Sequence, residues 1–214
     1  MIKAVLFDMD GVLIEAKDWH YESLNRALEH FGMPISRHEH ETTYDGLPTA
    51  RKLEMLSQEK GLPRSMHSFI NNLKQQYTFD LVHTLCRPRF LQEQALSELK
   101  RNGYKLAVCS NSIRATVELM MEKAALTPYL DLMLSNQDVA KSKPAPDIYL
   151  KAMELFGLQP HECLVVEDNE NGIKAANASG AHVLVVEDVA DTNISNILAR
   201  INEIRVLNQA QMVA

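Results

Sequence analysis

The sequence lacks most of what marks secreted, membrane-bound or nucleic-acid-binding proteins. Its three cysteines, Cys86, Cys109 and Cys163, are odd in number and widely spaced, so they do not read as a disulfide framework. Cys109 and Cys163 sit inside apolar runs and are expected as small core residues in a reducing compartment. No stretch approaches the roughly 18 apolar residues that a membrane span needs. The start MIKAVLFDMD interrupts its short apolar run with acids, so neither a signal peptide nor an anchor is expected. Basic stripes are missing too: 28 Asp+Glu outnumber 22 Lys+Arg, a net charge of −6, which argues against nucleic acid as a partner. Neither G-x-x-x-x-G-K-S/T nor G-x-G-x-x-G occurs, so nucleoside triphosphate and dinucleotide folds lack support. No internal repeat or low-complexity tract is visible. The expectation is a cytoplasmic protein, monomer or weak dimer, handling a small molecule.

What is present is a chain of 214 residues, 46% hydrophobic and 23% charged, long enough to bury a core as one large domain or a domain with an insert. Short apolar runs at 4-AVLF-7, 104-YKLAVCS-110, 130-LDLML-134, 163-CLVVE-167 and 182-HVLVVE-187 do not alternate with polar residues, which marks strands covered on both faces. Helical patterns ending near Gly103, Gly157 and Gly180 separate them. The class is therefore α/β, a Rossmann-like parallel sheet core with right-handed crossovers. Residues 16–84 break this rhythm with helical patterns over 19–31, 50–58 and 66–84 and no strand. An α-helical cap inserted after the first strand sits above that strand's C-terminal end, where open α/β sheets bind ligands. The boundaries read as 1–15 with 85–214 for the core and 16–84 for the cap. The tail 205–214 reads as a frayed end.

Unusual polar residues fall where the strands run out. Asp8 and Asp10 follow the first, Ser110 and Asn111 the second, and Glu167 and Asp168 the fourth, while Lys143 precedes a proline-rich turn after the third. Singly each has a plain explanation as a cap or a solvated charge. Parallel strands bring their ends together, however, and several carboxylates in one crevice are costly unless compensated. Magnesium, held by Asp8, Asp168 and a backbone carbonyl near Asp10, resolves the charge and lets a phosphate approach. Asp8 is then placed to attack it, Asp10 to move protons, and Ser110 and Lys143 to hold phosphoryl oxygens.

FDMDGVL, the serine step in 108-VCSNS-112, Lys143 in 141-KSKPAPD-147 and 167-EDNENG-172 resemble, in order and spacing, the four motifs of the haloacid dehalogenase superfamily. The resemblance spans essentially the whole chain and is nearest the β-phosphoglucomutase-like branch with its helical cap. It implies a magnesium-dependent phosphatase acting through a phosphoaspartate on a small phosphate ester, a phosphosugar favoured. It implies Asp8 as nucleophile, Asp10 as general acid and base, Ser110, Asn111 and Lys143 on phosphate, and Asp8, Asp10, Glu167 and Asp168 as the metal set. On the cap it points to His20, Thr49, Arg51 and Lys74 as substrate contacts. Thr49 stands where the mutase has an arginine for a second phosphate, which favours hydrolysis over a phosphomutase. A receiver-type switch shares the acid cluster and lysine but needs no lid, and a dehalogenase needs no metal acids. His38 and His40 read as a solvated face, Met120 and Met121 as core, and Trp19 and Tyr21 as packing for the first cap helix.

Overall fold

In the computed structural model the backbone is described for residues 1–213 and side chains for residues 1–209. The apolar runs form five parallel strands, β1 Ala4–Phe7, β2 Lys105–Cys109, β3 Leu132–Leu134, β4 Cys163–Glu167 and β5 His182–Val185, in the order β3-β2-β1-β4-β5. The first strand in sequence is thus the central one. Its alternate residues feed two cores. Val5 and Phe7 join Leu106, Val108, Leu164 and Val166 on one face, and Ala4 and Leu6 join Ala107, Cys109 and Val165 on the other. Both faces are dry, which is why the strands carry no polar alternation.

Helices cover those faces. Within the first four strands' connections lie α5 Phe90–Arg101, α6 Arg114–Lys123 and α7 Asp147–Phe156, and α8 Glu170–Ala178 links β4 to β5. Met120 and Met121 are fully buried on α6, each burial contributing about 1.5–3 kcal/mol. The three cysteines are free and buried, with thiols pushed up by burial to about 11 for Cys86 and Cys163 and about 12 for Cys109. Among the described residues no helix is long and apolar enough to cross a membrane.

Between β1 and α5 the chain forms α1 Lys17–Glu29, the short α2 Arg37–Glu39, a wide turn over His40–Tyr44, α3 Thr49–Lys60 and α4 His67–Leu85. Their apolar faces make a cluster of their own, with Leu24, Leu28, Ile35, Tyr44, Leu53, Leu56 and Ile70 at its centre. Two readings of the sequence are corrected. His40 is buried against the Tyr21 ring, 5.2 Å between centroids, while His38 is exposed. The tail does not fray at 205, because α9 runs Ile194–Val213, anchored through Ile197, Ile201 and Ile204 on the sheet.

Candidate active site

Strand register gathers the polar residues. Phe7 lies opposite both Val108 and Val166, so the residues just beyond each strand share one edge, the carboxyl edge of a parallel sheet. Asp8 continues the ladder by donating its N–H to Val166 O at 3.0 Å. Lys143, from the loop between β3 and α7, reaches over with its Nζ 2.6 Å from Asp8 Oδ1 and 2.6 Å from Glu167 Oε1. Glu167 is fully buried and also accepts the Tyr149 hydroxyl proton from α7. Only glycine fits at position 172, because a Cβ there would lie 1.9 Å from Glu167 Oε1.

One ammonium thus serves two buried carboxylates. Burial, together with Glu167, pushes the Asp8 carboxyl well up, and Lys143 opposes that. Burial alone would lower Lys143, but Asp8 and Glu167 outweigh it and hold the ammonium charged. A third carboxylate adds to the strain: Asp8, Glu167 and Asp168 each place an oxygen within 4.8 Å of the others. Burial raises Asp168 as well, against the pull of Lys17, whose Nζ is 2.5 Å from Asp168 Oδ2. Three hard oxygen donors with too little positive charge between them fit a magnesium ion. The Asp10 carboxylate, expected in the metal set, is outside that group of three, and its Oδ2 lies 3.1 Å from Nε2 of His20 on α1.

Ser110 is buried at the end of β2, its Oγ accepting the Ser112 N–H at 3.0 Å. Asn111, expected on phosphate, lines the cleft. Its Nδ2 donates to Gly46 O at 2.9 Å and Lys143 O at 3.2 Å, and its Oδ1 accepts the Lys143 N–H at 3.0 Å. With both ends of its amide bound to backbone, the side chain ties the Gly46 loop to the lysine loop at the cleft wall.

These groups floor a cleft of about 170 Å³ roofed by α1, α3, α4 and the 45–48 loop. His20 on α1 links the roof to the floor, with Lys74 Nζ of α4 lying 3.1 Å from His20 Nδ1. Burial pushes Asp10 up, but His20, Lys74 and Lys143 more than offset it and leave the carboxyl low. Thr49 lines the cleft as expected. Arg51 does not, being exposed on the far side of α3, and Lys52 occupies the lining instead. From Thr49, position 52 lies about 60° around the helix and position 51 about 160°. Lys17 and Lys52 are cleft residues that the sequence reading passed over. Lys17 opens α1 and carries no motif, and Lys52 became identifiable only once α3's first residue was fixed.

Sheet and cleft together define an α/β protein with a lysine-bridged acid centre under a helical roof. Residues 5–186 match the model of the haloacid dehalogenase-like hydrolase family. The chain belongs to that family. It is 27% identical over 179 residues to a phosphorylated carbohydrates phosphatase of Thermotoga maritima, covering 84% of this chain and 82% of the relative. It is 30% identical over 190 residues to a phosphoglycolate phosphatase of Nitrosospira multiformis, with 86% and 83% covered. The crystal structure of β-phosphoglucomutase from Clostridium difficile superposes with a TM-score of 0.84 at 21% identity, covering 96% of this chain and 100% of that one, a likeness of fold.

Proposed function

We propose that this phosphatase hydrolyses monoesters of small phosphorylated metabolites, phosphosugars foremost, through a phosphoaspartyl intermediate on Asp8. The observation that carries the reading is the pair Asp8 and Asp10 at one cleft floor, one carboxylate held by Lys143 and the other by His20. Relatives named for phosphorylated carbohydrates and phosphoglycolate support the substrate class. Residues 16–84 act as the cap, and residues 1–15 with 85–214 as the catalytic core.

In the first step an Asp8 oxygen attacks phosphorus, the bond from phosphorus to the alcohol oxygen breaks, and Asp10 gives the departing alkoxide a proton. Asp10 is held ionised without substrate, and the negative charge of an arriving phosphate raises it toward its acid form. In the second step Asp10 takes a proton from water, which attacks the phosphoaspartate and releases inorganic phosphate with Asp8 restored. Ser110 and Lys143 hold phosphoryl oxygens. Magnesium, when bound, supplies neutralisation of the acid cluster and polarisation of phosphate, and Asp8, Glu167 and Asp168 are the side chains that would hold it.

The test is phosphate release from a panel of phosphosugars, phosphoglycolate and nucleotides, with and without magnesium. Asp8→Asn should cut turnover by roughly 10³-fold or more. Activity persisting in that variant would sink the mechanism. Product analysis on hexose 1-phosphates separates hydrolysis from a phosphomutase, which would return an isomer in place of inorganic phosphate.

A further inference from the structure

The 45–48 loop of the roof is held to the floor through its backbone. Two consecutive carbonyls, Asp45 O and Gly46 O, accept protons from side-chain amides that lie beyond the strand ends, Asn171 Nδ2 at 3.3 Å and Asn111 Nδ2 at 2.9 Å. Gly46 is pressed close at the same place. Its φ is +69°, and a Cβ there would lie 2.8 Å from Asn169 Oδ1. The two ties differ in where they lead. Among the described residues the Asn171 side chain bonds the loop alone and does not line the cleft. Asn111 continues to Lys143, donating to its O at 3.2 Å and accepting its N–H at 3.0 Å. Two carbonyls and one N–H use both Nδ2 protons and the Oδ1 of a single amide, which fixes its orientation. Lys143 lies in the loop between β3 and α7, outside any ladder. Among the described residues both of its backbone groups bond Asn111 and nothing else.

We propose that Asn111 is a positioning residue whose amide makes the seating of the 45–48 loop and the placing of Lys143 one event. The assignment rests on the phosphatase reading and adds to it a residue that acts through Lys143 instead of on phosphate. A side-chain amide is planar and rigid, so it cannot follow Gly46 O away from the floor and still hold both backbone groups of Lys143. With the loop seated, the Lys143 backbone is braced and its Nζ stands 2.6 Å from Asp8 Oδ1. With the loop lifted, the brace has lost one of its three anchors and Lys143 is free to shift. A shift of about 1 Å in a positioning group costs about 10²-fold in rate. The loop lines the cleft on the roof side, so contact between the roof and the alcohol part of a substrate is passed on to the lysine that meets its phosphate.

The experiment reads the link first without turnover. Amide exchange is followed by NMR in the full chain and in its Asn171→Ala variant, which cuts the loop's other tie and leaves Asn111 and Lys143 untouched. Exchange at the Lys143 N–H should quicken about threefold or more, as loss of one hydrogen bond on the loop implies, together with that of Leu47, while the amides of β1 keep their rates. An unchanged rate at Lys143 would overturn the proposal. The second arm is turnover in magnesium on the ester that the panel ranks best. Asn111→Ala should lower kcat about 10–100-fold and Asn171→Ala about two- to fivefold. The double variant should lose no more than Asn111→Ala alone, because the link through which the loop acts on Lys143 is already cut. Losses that multiply would overturn the proposal, as would a loss in Asn111→Ala confined to KM, since an amide bound to phosphate directly gives those results. The Asn171→Ala exchange arm decides the matter even where Asn111→Ala does not fold. Quickened exchange at Lys143 in a chain that hydrolyses no ester would keep the link and discard the phosphatase reading.

Discussion

Replacing Lys143 by Met removes the ammonium shared by Asp8 and Glu167, two contacts of 2.6 Å in a site where all three side chains are buried. Methionine matches the length of the lysine stem, so packing changes little and the effect is electrostatic. Breaking a buried pair in this way costs about 3–5 kcal/mol, because a charge is left behind without a partner. With a urea slope of about 3 kcal/mol/M for a chain of this size, the unfolding midpoint should fall by about 1–1.7 M at pH 8 in the presence of a chelator. The cost depends on pH in a definite direction. Asp8 is already pushed up by burial and by Glu167, and without Lys143 it rises further above its unfolded value. A carboxyl with a raised folded pKa binds more protons when folded, so stability falls as pH rises above the unfolded pKa of about 4. The deficit of the variant should therefore shrink as pH drops from 8 toward 4. Adding Asp8→Asn to Lys143→Met removes one of the stranded charges and should recover part of the loss at pH 8. A deficit below about 1 kcal/mol at pH 8, or one that stays constant on acidification, would refute the view that Lys143 compensates a buried carboxylate pair.

Three further outcomes follow from the same geometry. Asp10→Asn should lower kcat on alkyl phosphates by about 10²–10⁴-fold, and less on p-nitrophenyl phosphate, whose phenolate leaves without a proton; equal losses on both would remove Asp10 from leaving-group protonation. Lys17→Ala frees Asp168 from its 2.5 Å ammonium, so magnesium should bind about tenfold more tightly, about 1.4 kcal/mol, in titrations followed by fluorescence of Trp19, the single tryptophan, with no substrate present. Unchanged affinity would mean that Lys17 does not share the site. Gly172→Ala puts a methyl 1.9 Å from Glu167 Oε1, a clash that should destabilise the chain by about 1–3 kcal/mol and lower activity with it; a thermal melt at the wild-type temperature would show that Glu167 has room to move.

The floor of the site was legible in the sequence because a parallel strand fixes its own end. Once 4-AVLF-7, 104-YKLAVCS-110 and 163-CLVVE-167 are read as strands covered on both faces, parallel pairing aligns their termini, and Asp8, Ser110, Glu167 and Asp168 must share an edge. No knowledge of side-chain direction is needed for that step. Asn111 shows its limit, since the edge brings the residue to the site while hydrogen bonding to Gly46 and Lys143 decides what its amide does.

The roof follows a different logic. Its residues come from three helices and a loop, and whether a helical residue faces the cleft depends on a rotation of 100° per position that the hydrophobic pattern fixes only loosely. Shifting the first residue of α3 by one position exchanges which basic residue, Arg51 or Lys52, lies near the Thr49 face. Lys17 is subtler still, because what makes it notable is a contact with Asp168, 151 positions later in the chain, and no local pattern encodes that distance. The acid centre therefore lies where register is rigid, and the lining of the roof where phase and packing are set only by tertiary contact. Changes on α3 and α4 should leave Asp8, Lys143 and Glu167 undisturbed, since among the described residues neither helix makes a hydrogen bond or ion pair to any of the three, whose partners come from the strand ends, the lysine loop and α7.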